Sequence, residues 1–164
     1  MKHILIILAI FSFFTSLTVF SQKSDKVYKT FSDTTFSIGD IILAPAIYFT
    51  IDGGASVIPE HKDSVKIIAA FLTRYPNISI EIGVHSDSRG ALEYEQMLSE
   101  IRANSVKNVL VDEFGIQPKR IEVKGYGKSK LIVTDAEIDQ AHSNEVKEKL
   151  HAKNRRIEIK MVKK

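Results

Sequence analysis

Hydrophobic and polar positions change their period several times along the chain, and each change marks an element. Residues 22–38 are polar and turn-rich and read as a short leader that closes at Gly39. From Ile41 to Ile51 the run is apolar, β-branched and aromatic, but Pro45 interrupts it. That combination predicts an edge strand, because proline lacks the N–H a central ladder needs. Asp52-Gly53-Gly54 predicts a turn. Val65, Ile68, Ala69, Leu72 and Tyr75 recur at helical spacing, so a helix is expected over 60–75, ended by Pro76. Ile78, Ile80, Ile82 and Val84 alternate with Ser79, Glu81 and Gly83, the period of a half-buried strand over 78–86.

A turn, Ser86-Asp87-Ser88-Arg89-Gly90, leads into a second helix expected over 91–114, with apolar positions at Tyr94, Leu98, Ile101, Val106, Leu110 and Phe114. Gly115 is its expected terminator. Ile121 and Val123 predict a third strand ending at Gly125-Tyr126-Gly127. Residues 134–150 are polar on all faces, and Thr134 with Glu137 forms a capping-box signature, which predicts short exposed helices. A last strand is expected over 156–162, where Ile157, Ile159 and Met161 alternate with charged neighbours. The order β-α-β-α-β, with a polar insertion before the final strand, predicts an α+β two-layer sandwich. Its two long helices lie on one face of a mixed four-stranded sheet.

Lys2 followed by an uncharged apolar stretch to Phe20, with Ser21 and a polar Gln22-Lys23-Ser24-Asp25 after it, reads as a secretory signal peptide over 1–21. The alternative is a retained anchor. Either reading sends the rest of the chain out of the cytoplasm, with 22–38 as leader and 39–164 as the folded domain. The 164 residues hold no cysteine, which excludes a disulfide framework, a thiolate metal cluster and a cysteine nucleophile. A net charge of +3 divides unevenly: residues 22–118 carry 9 basic and 13 acidic side chains, residues 119–164 carry 13 and 7. The basic third lacks the interleaved aromatics of a nucleic-acid stacking platform, so it reads as solvated surface.

Few residues offer chemistry. His85, Ser86 and Asp87 hold the letters of a hydrolytic triad but are consecutive, and neighbours on an extended chain point to opposite faces. His85 and Asp87 share a parity but lack a third ligand at metal spacing, as His61, His142 and His151 fall in other elements. Gly125-Tyr126-Gly127 is half a phosphate motif without its following helix, and a turn between strands is the expected reading. What remains is a charge pair, Asp87 at a strand end and Arg102 in the helix after it.

The run IEIGVHSDSRGALEYEQMLSEIRANSV over 80–106 resembles the signature of the OmpA-like peptidoglycan-binding domain. His85-Ser86-Asp87, Gly90, Leu98-Ser99 and Arg102-Ala103 are the counterparts of its motif. The resemblance extends upstream to Ile47-Tyr48-Phe49, which looks like the family's first strand, and to Tyr75-Pro76. Downstream it runs through Gly125-Tyr126-Gly127-Lys128-Ser129 to Asn154-Arg155-Arg156-Ile157-Glu158. The insertion before Asn154 resembles versions from Bacteroidetes-type Gram-negative bacteria.

The resemblance implies a non-enzymatic module in the periplasm, associated with the outer membrane, that grips the diaminopimelate side chain of the peptidoglycan stem peptide and needs no cofactor. Diaminopimelate ends in an ammonium and a carboxylate on one carbon, so it calls for a carboxylate and a guanidinium in reply. The carried-over roles are Asp87 for the ammonium and Arg102 for the carboxylate, with Arg155 and Ser86 as further ligand contacts, backbone groups at 88–91 completing the site, and His85, Gly90, Leu98 and Asn154 in support. Three positions depart from the family pattern: Val84, Thr50 and Glu95, the last either a second contact for the ammonium or a repulsion against the carboxylate. A cell-wall hydrolase is the competing class, together with a scaffold that no longer binds wall; a partner in the outer membrane is expected, and nucleic acid is not.

Overall fold

The computed structural model describes residues 27–50 and 56–164; the expected signal peptide and the Asp52-Gly53-Gly54 turn lie outside them. Four strands form one mixed sheet in the order β1-β4-β2-β3: β1 Ile41–Leu43, β2 Ser79–His85, β3 Ile121–Gly127 and β4 Arg156–Lys163. The neighbours β2 and β3 run parallel, and β4 runs antiparallel to both β1 and β2. Helices α1, Lys62–Arg74, and α2, Leu92–Asp112, cover one face; α3, Asp135–Asp139, and α4, Asn144–Asn154, make up the insertion. This is the expected two-layer sandwich.

Helix α1 buries Val65, Ile68, Ala69, Phe71 and Leu72, and a 3-10 turn at Pro59–His61 precedes it because Pro59 fixes its own φ and supplies no N–H. Against α1 and α2 the sheet presents Ile80, Ile82, Val84, Ile121, Ile157, Ile159 and Met161, all buried. Gly115 ends α2 with φ +68° and donates to the Val111 carbonyl at 3.1 Å, as a left-handed terminator does.

Several expectations need correction. The first strand stops at Leu43, since Pro45 breaks the ladder. Ile47-Tyr48-Phe49 is not a sheet strand; Phe49 bridges Val57, and Thr50 and Ile58 bond Ser56 and Tyr48 to form a separate strap. In α2 the stripe turned to the core is Ser99, Ala103, Val106 and Leu110, while Tyr94 and Ile101 stand about half exposed at 50% and 45%. The reason lies in β3. A Cβ on Gly125 would come within 2.7 Å of the Gln96 carbonyl oxygen and 2.9 Å of Glu100 Cα, so the helix rests on bare strand backbone and only small residues fit between. Gly125-Tyr126-Gly127 is therefore not a turn between strands but the last three residues of β3, shaped for a helix to lie on.

The insertion carries the expected Thr134–Glu137 capping box. It is less detached than its polarity predicts: Ile138 is buried, and so is Asn154 at the end of α4. Upstream of Gly39, Phe31 and Phe36 pack edge-on against Phe71, and Phe36 also against Tyr75, at ring-centroid distances of 5.0–5.7 Å. Among the described residues no helix is long and apolar enough to cross a membrane.

Candidate functional site

Where β2 ends, its chain turns away from the sheet and opens a groove of about 650 Å³. One wall is the N-terminal half of α2, with Glu95, Leu98 and Arg102; another is the strap from Leu43 to Phe49; the floor and far side come from 84–90 and from the junction of α4 with β4. His85, Ser86, Asp87, Gly90, Glu95, Leu98, Arg102 and Arg155 all line it. The chain brings these together from four elements spread over about seventy residues.

Asp87 is 6% exposed. Its carboxylate folds back over the turn, as aspartate does when it captures an N–H two residues on. Oδ1 accepts from the Arg89 backbone N at 3.0 Å and from Arg89 Nε at 3.1 Å. Oδ2 accepts from Arg89 Nη2 and from Arg155 Nη1, each at 2.7 Å. Burial pushes this carboxyl up, but the hydrogen bonds and charges of Arg89 and Arg155 outweigh it and hold Asp87 well below the usual carboxylate range. Glu148 of α4 accepts from both arginines, from Arg89 Nη1 at 3.0 Å and Arg155 Nη2 at 2.7 Å, and its own carboxyl is lowered, first by Arg155. Arg155 is desolvated, which lowers it, yet its bonds to Asp87 and Glu148 raise it overall.

The turn is braced from outside. Lys128 Nζ donates to the carbonyls of Ser88 and Gly90, and Gly90 at φ +82° faces Glu95, whose Oε1 would stand 2.6 Å from any Cβ there. Ser86 N donates to the Gly127 carbonyl at 2.8 Å, and its hydroxyl pairs with that of Ser99 at 3.1 Å, pinning the strand end to α2. His85 stacks on Tyr126 with centroids 4.7 Å apart and lies 3.5 Å from Glu158, so it belongs to the sheet's other face as much as to the groove.

Arg102 is held differently. Its guanidinium lies over the Phe49 ring, 5.3 Å from the centroid, and its Nε is enclosed without an acceptor. Asp87 and Arg102, expected to answer the two charges of one ligand, line the same groove without pairing with each other; the partners of Asp87 are Arg89 and Arg155. Asn154 does not line the groove. It is fully buried, accepts at Oδ1 from the backbone of Ile132 and Val133, donates to the Val133 carbonyl, and so fixes the point from which Arg155 reaches out. Two residues of the charge network escaped the sequence reading. Arg89 carried a signal, since an Asx turn returns residue i+2 to the aspartate. Glu148 lies seven residues before Arg155, two helical turns along the same face. Among the described residues no group of three His, Asp or Glu side chains is arranged to hold a metal.

A four-stranded mixed sheet backed by two helices is a fold this chain shares with domains of cell-envelope proteins. The chain belongs to the OmpA family, which it matches over residues 48–145. It is 30% identical over 141 residues to the peptidoglycan-associated lipoprotein of Buchnera aphidicola, covering 85% of this chain and 75% of that one. It is 42% identical over 72 residues to outer membrane porin F of Pseudomonas aeruginosa, covering 44% of this chain; it spans about a fifth of the length of that relative, 21%. Among solved structures it resembles the peptidoglycan-associated lipoprotein of Burkholderia pseudomallei, with 25% identity, a TM-score of 0.52, and 72% and 88% of the two chains covered. It also resembles the cell wall anchor of the T6SS from Pseudomonas aeruginosa, with 26% identity, a TM-score of 0.54, and 71% and 76% covered.

Proposed function

We propose that this chain is a non-catalytic peptidoglycan binder that recognises the zwitterionic end of diaminopimelate in the stem peptide, tethering the cell envelope to its wall. The observation that carries this reading is the state of Arg102. A guanidinium with five donors and an enclosed Nε lacking an acceptor faces a groove that has a carboxylate, Asp87, on its other side. Buried donors are nearly always satisfied, so this one calls for an incoming anion. A ligand carboxylate matches the planar fork, and a ligand ammonium on the same carbon is the counter-charge for Asp87. The names of the relatives, peptidoglycan-associated lipoproteins and a cell wall anchor, support the same polymer. A further relative, outer membrane porin F, supports a site of action beside the outer membrane, and in this reading an outer-membrane protein is a further partner.

The exported protein is expected to sediment with diaminopimelate-type sacculi without releasing fragments from them, and free meso-diaminopimelate is expected to compete. Lysine competes far less, since it brings the ammonium but leaves Arg102 without its anion. Arg102→Ala and Asp87→Ala each remove the protein's half of a charge pair with the ligand, a loss of ~2–5 kcal/mol or roughly 30-fold and more in affinity. Arg155→Ala weakens binding less. If the Asp87 and Arg102 variants sediment as wild type does, the ligand sits elsewhere.

A further inference from the structure

Asp87, the residue assigned to the ligand's ammonium, has no room for one. A carboxylate offers about four lone-pair positions. Here four N–H groups fill them: the backbone N, Nε and Nη2 of Arg89, and Nη1 of Arg155. One donor must leave before an ammonium can enter. The backbone N–H is fixed by the turn. Arg155 issues from the α4–β4 junction that Asn154 buries and bolts to 132–133. The Arg89 side chain is the more exposed of the two cations, 55% against 42%, and stands on a surface turn. It already holds a second acceptor through Nη1 and Glu148 Oε2 at 3.0 Å, so it can quit Asp87 without losing its counter-charge.

We propose that Arg89 sets the affinity of this site: its guanidinium is a resident cation in the ammonium seat of Asp87, displaced onto Glu148 when the ligand enters. This rests on the zwitterion reading above. A simple amine exchanges one cation at Asp87 for another and gains little. A ligand that brings a carboxylate as well also supplies an acceptor to Arg102, whose enclosed Nε has none among the described residues. The exchange is thus favourable when the two charges arrive together and gains little for an ammonium alone. The preference between the two ligands comes from Arg102, whereas the occupied seat costs both of them alike. The occupancy lowers apparent affinity by the fraction of time the seat stands open.

The test uses the exported full chain, titrated calorimetrically with meso-diaminopimelate and with pentylamine, which has the ammonium and an alkyl stem but no carboxylate. Arg89→Gln is expected to bind meso-diaminopimelate about tenfold more tightly, the factor for a seat open about a tenth of the time. It should gain by about the same factor toward pentylamine, leaving the preference between the two, which Arg102 sets, unchanged. Glu148→Gln removes the receiving acceptor and is expected to weaken binding several-fold. In wild type the Arg89 Nε–H resonance should move on adding meso-diaminopimelate, a shift that a merely structural arginine would not show. If wild type binds, Arg102→Gln abolishes binding, and Arg89→Gln binds equally or more weakly, this inference falls and the zwitterion reading stands. If neither wild type nor Arg89→Gln binds meso-diaminopimelate, both fall.

Discussion

On the helix-covered face of the sheet, Ile82, Val84, Ile157 and Ile159 meet α1 and α2 in an apolar layer. On the opposite face the same strands bury Arg156, Glu158, His85 and Tyr126, at 9%, 5%, 3% and 9% exposure. There Glu158 Oε1 accepts from Arg156 Nε at 2.8 Å and from the Tyr28 hydroxyl at 2.9 Å. The other Arg156 nitrogens donate to the carbonyls of Asn154 and Lys130. The Tyr126 hydroxyl donates to Glu81 at 2.8 Å, and its ring fills the space that Gly83 leaves open. The two faces teach different lessons about tolerance. An apolar layer loses stability in proportion to the atoms removed, whereas a buried ion pair fails out of proportion when one partner goes, because the other is left charged and dry.

That contrast can be broken by experiment. Glu158→Ala strands the Arg156 guanidinium and is expected to cost ~3–5 kcal/mol in urea unfolding. Replacing Arg156 and Glu158 together by Met and Leu should recover most of that loss; if the pair costs as much as the single change, burial of charge is not what distinguishes this face. On the apolar face Ile159→Val removes one methyl group from a fully buried site and should cost ~0.5–1.5 kcal/mol. The smallest effect is expected for Tyr126→Phe, below ~1 kcal/mol, because Glu81 is half-buried and regains water when the phenol leaves. Burial and the Glu81 carboxylate push the Tyr126 hydroxyl up to about 12. The folded state therefore favours the neutral phenol, and this contribution is full below the unfolded value of about 10 and lost as pH rises toward 12. The wild-type alkaline limb should fall more steeply over that interval than that of Tyr126→Phe.

The apolar face was legible in the sequence because each strand and helix that builds it keeps one period. The polar face was not. Arg156 and Glu158 alternate with isoleucines just as solvent-facing charges would, and only the chain packed above them, from Tyr28 to the 130–134 loop, makes that face an interior. The same holds for α2, where Tyr94 and Ile101 looked like core and Ser99 and Ala103 occupy it, since strand glycines in a distant segment decide how near the helix comes. In the groove, Asp87, Arg102 and Arg155 were legible through their motifs. Their connections were not, because the network runs through Arg89, turned back by a local hydrogen bond, and through Glu148, delivered by a helix whose composition suggested only solvent.

Helix α2 carries Arg102, and the strand end next to β3 carries Asp87, so the span between the two charges is set where neither residue lies. It is set by how deeply the helix sits on Gly125 and Gly127, a contact of backbone on backbone with no side chain to compress or rotate. Such a seat works as a fixed gauge. Side chains around the groove can change its polarity and shape while the gauge keeps its length, and a single methyl group on β3, far from any ligand atom, would reset it.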